Sequence, residues 1–187
     1  GVMTPGVGFI IRVPKPGSPA PDNWSGTTYP QPVAFKGVPN NGNYPFVVGA
    51  GEFNLIGNPY PSAIDADLFI TNTNNASIIN GALYFWTHNT VITNNEYTAD
   101  DYASYTLTGG TGTGGVGNFV DANNNGIMDP VEEVVSNRPL GKIAAGQSFF
   151  VENAAAGSFQ FTNAMRATGN NSQFFKQANT KKTATVE

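Results

Sequence analysis

The sequence predicts an all-β fold: an antiparallel β-sandwich, jelly-roll-like, with one or two short helices and a calcium-loop insertion. Three observations predict it. The 187 residues include 22 Gly and 13 Pro beside abundant Asn and Thr, which sets turn-formers at short intervals along the chain. Between them lie short apolar runs of strand length, such as Gly8–Val13, Ala82–Thr87 and Ile143–Val151. Charged residues make up only 12% while hydrophobic ones reach 40% and aromatics 12%, enough to fill a core without staples.

Length favours one domain. Residues 1–176 read as a single sandwich, with the calcium-loop insertion at about 108–138, and 177–187 as a polar linker into a following domain. The chain opens directly on Gly1-Val2-Met3, so it reads as a piece of a longer protein. A net charge of -4 gives no basic footprint for nucleic acid. No apolar run approaches the roughly 20 residues of a membrane span. Zero Cys excludes disulfides, thiolate zinc sites and cysteine nucleophiles, and is compatible with a surface protein stabilised by calcium.

In chain order, Gly8–Val13 reads as the first strand, ended by Pro14, and 14–32 as a Pro/Ser/Gly-rich loop carrying Trp24 and Tyr29. Val33–Val38 is the next strand, and Asn40-Asn41-Gly42 turns it into Tyr44–Val48. The stretch Asn54–Ile70 is the anchor of the chain. It enters as a strand with Phe53 and Leu55 on one face and Ile56 on the other. Gly57-Asn58 breaks that strand, and Pro59 and Pro61 hold the backbone extended. Ser62 then caps a helix over Ala63–Phe69, with Asp65 three residues on and Ile64, Leu68 and Phe69 facing inward. This is a structural corner on one reading; on the other, Asn58, Tyr60 and Asp65 line a binding cleft.

Thr71–Ser77 reads as a loop and Asn80-Gly81 as a turn into Ala82–Thr87, a central strand apolar on both faces. Asp100–Tyr105 begins a further strand or loop, and Thr108–Gly117 is flexible by composition. Ile143–Val151 and Ser158–Phe161 supply the last two strands. Phe85, Phe149 and Val151 belong between the two sheets.

The segments "NLIGNPYPSAIDADLFI", "GALYFWTHNT", "DDYASY", "GKIAAGQSFFV" and "FTNAMRATGNNSQFFK" together resemble a recurring β-rich module of large secreted or cell-surface Bacteroidota proteins that carry a type IX secretion sorting domain. The resemblance runs from about Gly8 to Lys176. It implies a secreted or cell-surface location beside neighbouring domains of the same chain. It implies no reaction.

Asp121-Ala-Asn123-Asn-Asn125-Gly126-Ile127-Met128-Asp129-Pro130-Val131-Glu132 matches the calcium-loop pattern at every defined position. Asp121, Asn123 and Asn125 offer side-chain oxygens at alternate positions, and Gly126 permits the sharp turn. Ile127 offers its carbonyl, Asp129 takes the ninth position and Glu132 closes the site with both oxygens. Gly117–Val120 cannot be a helix, so the site is a strand–loop–short-helix with Pro130 at the first helical position. Its ligand charge suggests affinity in the ~10⁻⁴ to 10⁻³ M range of extracellular modules. The alternative is an Asn/Gly-rich turn that only resembles the motif.

His88 is the only histidine and reads as a strand-end residue, with no G-x-S-x-G elbow beside it. Residues 109–117 lack the Lys-Ser/Thr ending of a phosphate loop. Asp65 with Asp67, and Asp100 with Asp101, are too close in sequence to face each other; a pair such as Asp65 with Asp101 is what a glycosidase would need, ~5–10 Å apart. The residues read as ligand-binding are Trp24, Tyr29, Asn58, Tyr60, Tyr97, Tyr102 and Tyr105, because flat rings beside Asn and Asp suit a sugar. The bland account of the aromatics is that they cap core edges.

The expected function is therefore a non-catalytic, calcium-stabilised extracellular module acting in adhesion or spacing, or in binding a polysaccharide or cell-surface glycan. The rival is a glycan-active enzyme, a glycosidase or polysaccharide lyase, using loop carboxylates.

Overall fold

The computed structural model of the chain describes residues 3–10, 37–87, 102–112 and 139–169. The fold is all-β with antiparallel sheets, as the sequence predicts. The strands are β1 (Tyr44–Val48), β2 (Phe53–Gly57), β3 (Ala63–Asp65), β4 (Ile79–Trp86), β5 (Tyr102–Thr106), β6 (Gly109–Thr111), β7 (Lys142–Ile143), β8 (Ser148–Asn153), β9 (Gly157–Phe161) and β10 (Arg166–Ala167). One short helix, α1 (Ala66–Thr71), follows β3.

The largest sheet has the order β2-β8-β4-β5-β6, and every pairing in it is antiparallel. Its inner face carries Ile56, Phe149, Val151, Leu83, Phe85 and Ala103, all buried, one on every second position of their strands. The facing layer is built from the β1–β9 ribbon, the small β10-β3-β7 sheet and α1. Phe69 of α1 joins the two. Its ring lies 5.4 Å from Phe149, edge to face, and 5.0 and 6.0 Å from Phe161 and Phe159 of β9. Each such fully buried ring stabilises the fold by roughly 1.5–3 kcal/mol.

Several elements differ from what the sequence predicts. Gly8–Ile10 do not form a strand; Val7 makes one bridge to Ile56, and Gly6 and Gly8 exchange backbone bonds with Gly57 and Leu55 along the free edge of β2. A Cβ on Gly8 would come within 2.5 Å of the Leu55 side chain, so the approach requires glycine. Gly37 and Val38, at the end of the predicted second strand, are also outside any strand, and Val38 is exposed. Tyr44–Val48 pairs with β9.

The helix begins three residues later than predicted. Ala63–Asp65 is a strand because it is sandwiched between β7 and β10, Ile64 facing both Ile143 and Arg166. Asp65 is the cap, accepting from the Leu68 N–H at 3.1 Å, and Ala66, Phe69 and Ile70 face inward while Leu68 is 48% exposed.

Asn80-Gly81 is a bulge within β4, where the sequence suggests a turn. Ile79 faces Asn153 and Leu83 faces Val151, so β4 takes four steps where β8 takes two. Gly81 absorbs the kink at φ 80°. Part of the Gly/Thr-rich stretch, Gly109–Thr111, is an edge strand, because β5 supplies its backbone partners from Ser104 to Thr106. The predicted strand over 143–151 is two elements, β7 and β8, split where Gln147 N–H bonds the Ala144 carbonyl. β4 lies centrally, as expected, but only one of its faces is fully buried: Leu83 and Phe85 are inside, whereas Tyr84 and Trp86 are half-buried.

Candidate functional site

The proline corner fixes two of the residues read as ligand-binding. Asn58 is 5% exposed. Its amide nitrogen donates to the carbonyls of Ser62 (2.8 Å), Ala144 (3.0 Å) and Ile143 (3.2 Å), and its Oδ1 accepts from the Tyr60 N–H (3.0 Å). Every polar atom of the side chain is thus used, both to hold the corner together at Tyr60 and Ser62 and to tie it to the β7–β8 turn at Ile143 and Ala144. Tyr60 is buried, with its hydroxyl donating to the Gly42 carbonyl at 2.6 Å and its ring edge-on to Tyr44. Burial, and after it the neighbouring Tyr44, pushes its phenol up to about 12 despite the opposing charge of Arg166.

Tyr105 is likewise an inner-face residue. Its hydroxyl donates to Asp67 at 2.8 Å, and burial followed by that bond pushes it up to about 12. Asp65 is ion-paired with Lys142 and caps α1. Burial acts to raise its carboxyl, but the bonds from Lys142 and the Leu68 N–H, with the Lys142 charge, outweigh it and hold it below the usual range. Asp65 and Asp67 are therefore each committed to a partner within the fold.

Tyr102 is different: it is 40% exposed on the outer face of the large sheet. Alternation places Phe53 and Leu55 of β2, Phe150 of β8 and Tyr84 and Trp86 of β4 on that same face. Register brings them together. Leu55, Phe150, Tyr84 and Ser104 lie side by side across four strands, and Trp86 lies beside Tyr102. Rings also interleave over intervening strands: Phe53 meets Tyr84 at 5.9 Å, and Tyr102 meets Phe150 at 5.8 Å. Three strand gaps of ~4.8 Å make this surface roughly 15 Å wide. Polar groups border it, including Ser104, Thr106 and Glu152, the last accepting from Asn80.

Phe53, Tyr84, Trp86 and Phe150 were not singled out as site residues by sequence reasoning. The available signal was the adjacent Phe149-Phe150 pair, whose members must point to opposite faces of one strand. Trp24, Tyr29 and Tyr97, the calcium loop of Asp121, Asn123, Asn125, Ile127, Asp129 and Glu132, and also His88, Asp100 and Asp101, lie outside the described residues.

An antiparallel all-β domain with an aromatic outer sheet face is the class these features define. Over residues 1–187 the chain matches a family described as a domain of unknown function (DUF8693), and it belongs to that family. No curated protein and no solved structure matches it.

Proposed function

We propose that this chain is a non-catalytic, calcium-stabilised extracellular module of a multidomain surface or secreted protein, and that it binds glycan on the outer face of its large sheet. The observation that carries this reading is the run of partly exposed rings from Phe53 to Tyr102 over four strands. Contiguous apolar surface of this kind marks an interaction site, and rings flanked by hydroxyl and carboxylate groups suit the apolar faces and polar edges of sugars. The surface location rests on the resemblance to secreted modules, and the calcium on the Asp121–Glu132 motif.

The enzyme alternative draws on carboxylates, of which Asp65 and Asp67 already hold Lys142 and Tyr105. The test is a glycan array with the full chain, with and without calcium, followed by titration of any ligand retained. Tyr84→Ala and Tyr102→Ala are each expected to weaken binding about thirtyfold, the ~2 kcal/mol scale of an interface hot spot. Unchanged affinity in both variants, or no glycan retained, refutes the reading. Release of reducing ends or unsaturated products from a polysaccharide would favour the enzyme.

A further inference from the structure

We propose that Arg166 is the centre of an oxyanion-reading site, fitted to the carboxylate or sulfate of an acidic glycan. The proposal rests on the glycan-binding reading above but uses a different surface, on the layer opposite the large sheet.

The backbone of Arg166 is fixed by pairing with Ile64 in β10, directly after a single 3₁₀ turn over Asn163–Met165. Its side chain is then held on three neutral partners. Nε donates to Ser62 Oγ at 3.0 Å, Nη1 donates to Asn41 Oδ1 at 3.4 Å, and the guanidinium carbon sits 5.5 Å from the centre of the Tyr60 ring. Tyr60 is itself immobilised through its bond to Gly42. The residue is exposed, and three of the five N–H donors of a guanidinium are not taken up by any described residue.

Two further facts give this arrangement a ligand type. Among the described residues the cationic side chains are Lys142 and Arg166; Lys142 is ion-paired with Asp65, whereas none of the described carboxylates pairs with Arg166. The flanking amides are also oriented by donors that admit only one assignment. Asn41 Oδ1 accepts from Arg166, and Asn163 Oδ1 accepts from the Gly42 backbone N–H at 3.2 Å. Both exposed Asn side chains therefore commit their oxygen inward and leave their NH₂ groups to the surface. The free ends of these two amides are therefore donors beside a fixed positive charge. A group that only accepts, and does so through two or three oxygens, is their complement. Holding the fork in place beforehand lowers the ordering cost of binding.

General electrostatics would work against a polyanion, since the chain carries a net charge of -4. Preference for one therefore requires a local cation. The full chain is titrated with polygalacturonate, with the same polymer methyl-esterified, and with a carrageenan and its desulfated form. Wild type is expected to bind at least one acidic polymer about tenfold more tightly than its neutral counterpart, the scale of a charge-assisted bond. Arg166→Gln should abolish that preference, and Arg166→Lys, which keeps the charge without the fork, should keep only part of it. The polymer whose preference is lost identifies carboxylate or sulfate as the group read. An unchanged preference in Arg166→Gln, with a melting curve like wild type, overturns the proposal, as does equal binding of acidic and neutral forms by wild type. In both cases the aromatic-face reading stands. Retention of no glycan at all removes both.

Discussion

Replacing Asn58 by Ala is expected to cost about 3–5 kcal/mol of folding stability. The wild-type amide supplies two N–H donors to a group of three carbonyls and accepts one bond from Tyr60. Three such bonds are worth about 1 kcal/mol each in net terms, and a single buried partner left dry adds about 1–2 kcal/mol more. The loss is a large share of the roughly 5–15 kcal/mol typical of a domain. In a chain of this size it lowers the melting temperature by about 10 °C. Asn58→Asp keeps the shape but turns an acceptor toward three acceptors. Its carboxyl would be raised above the unfolded value of about 3.9, so the deficit relative to wild type grows as pH rises through and beyond that value. Urea denaturation of all three proteins at pH 7 and pH 4 measures both effects. A loss below about 1 kcal/mol in Asn58→Ala would show that the corner is held by its prolines and apolar contacts, and would refute the reasoning.

The two neighbouring phenylalanines of β8 should separate stability from binding. Phe149→Ala is expected to cost about 3–5 kcal/mol as a core truncation, whereas Phe150→Ala should cost far less stability and weaken glycan binding; equal effects on both readouts would contradict the assignment of faces. Calcium is expected to raise the melting temperature by linkage, and Glu132→Gln to remove most of the rise; a melt indifferent to calcium and chelator would make the loop a turn. Tyr60 and Tyr105 are raised from 10.0 to about 12, so their contribution to stability is complete below pH 10 and is lost as pH climbs from there through about 12. The decline should be shallower in a Tyr60→Phe, Tyr105→Phe variant, compared by urea denaturation from pH 9 to 11.5; an identical decline would place the alkaline weakness elsewhere.

Local chemistry made some of this structure legible and left the rest out of reach. The inward set Phe85, Phe149 and Val151 follows from apolar runs of strand length. Gly42 and the two prolines mark real breaks. The start of α1 is hidden from the sequence because Ala63–Asp65 has helix-compatible residues, yet two strands from distant parts of the chain capture it. Pairing across tens of residues decides such a segment, and a local window does not contain it. Asn80-Gly81 has the composition of a turn and the position of a bulge, which only the register with β8 distinguishes. The Arg166 site joins Asn41 and Ser62 to a residue more than a hundred positions away, so no motif could announce it. The apolar run Ala82–Thr87 did show that β4 has two apolar faces; which face the rest of the chain covers is a tertiary fact.

The same contrast separates structural polar residues from those free to meet a ligand. In an Asn-rich domain the side chains that look most like sugar-binding groups are also the ones a fold uses to satisfy buried backbone. Asn58 serves three carbonyls, and Asn75, wholly buried, donates to the Phe69 and Gln160 carbonyls while accepting from the Gln160 N–H. Such a residue cannot turn to a ligand without orphaning its partners, at about 1–3 kcal/mol for each. A recognition group must instead have its orientation fixed by one part of the side chain and leave another part at the surface. Asn41 and Asn163 meet that condition through their oxygens, Arg166 through Nε and Nη1, and Tyr102 through one ring contact with Phe150. Each gives up little in binding, because its position is already set by contacts that a ligand would leave intact.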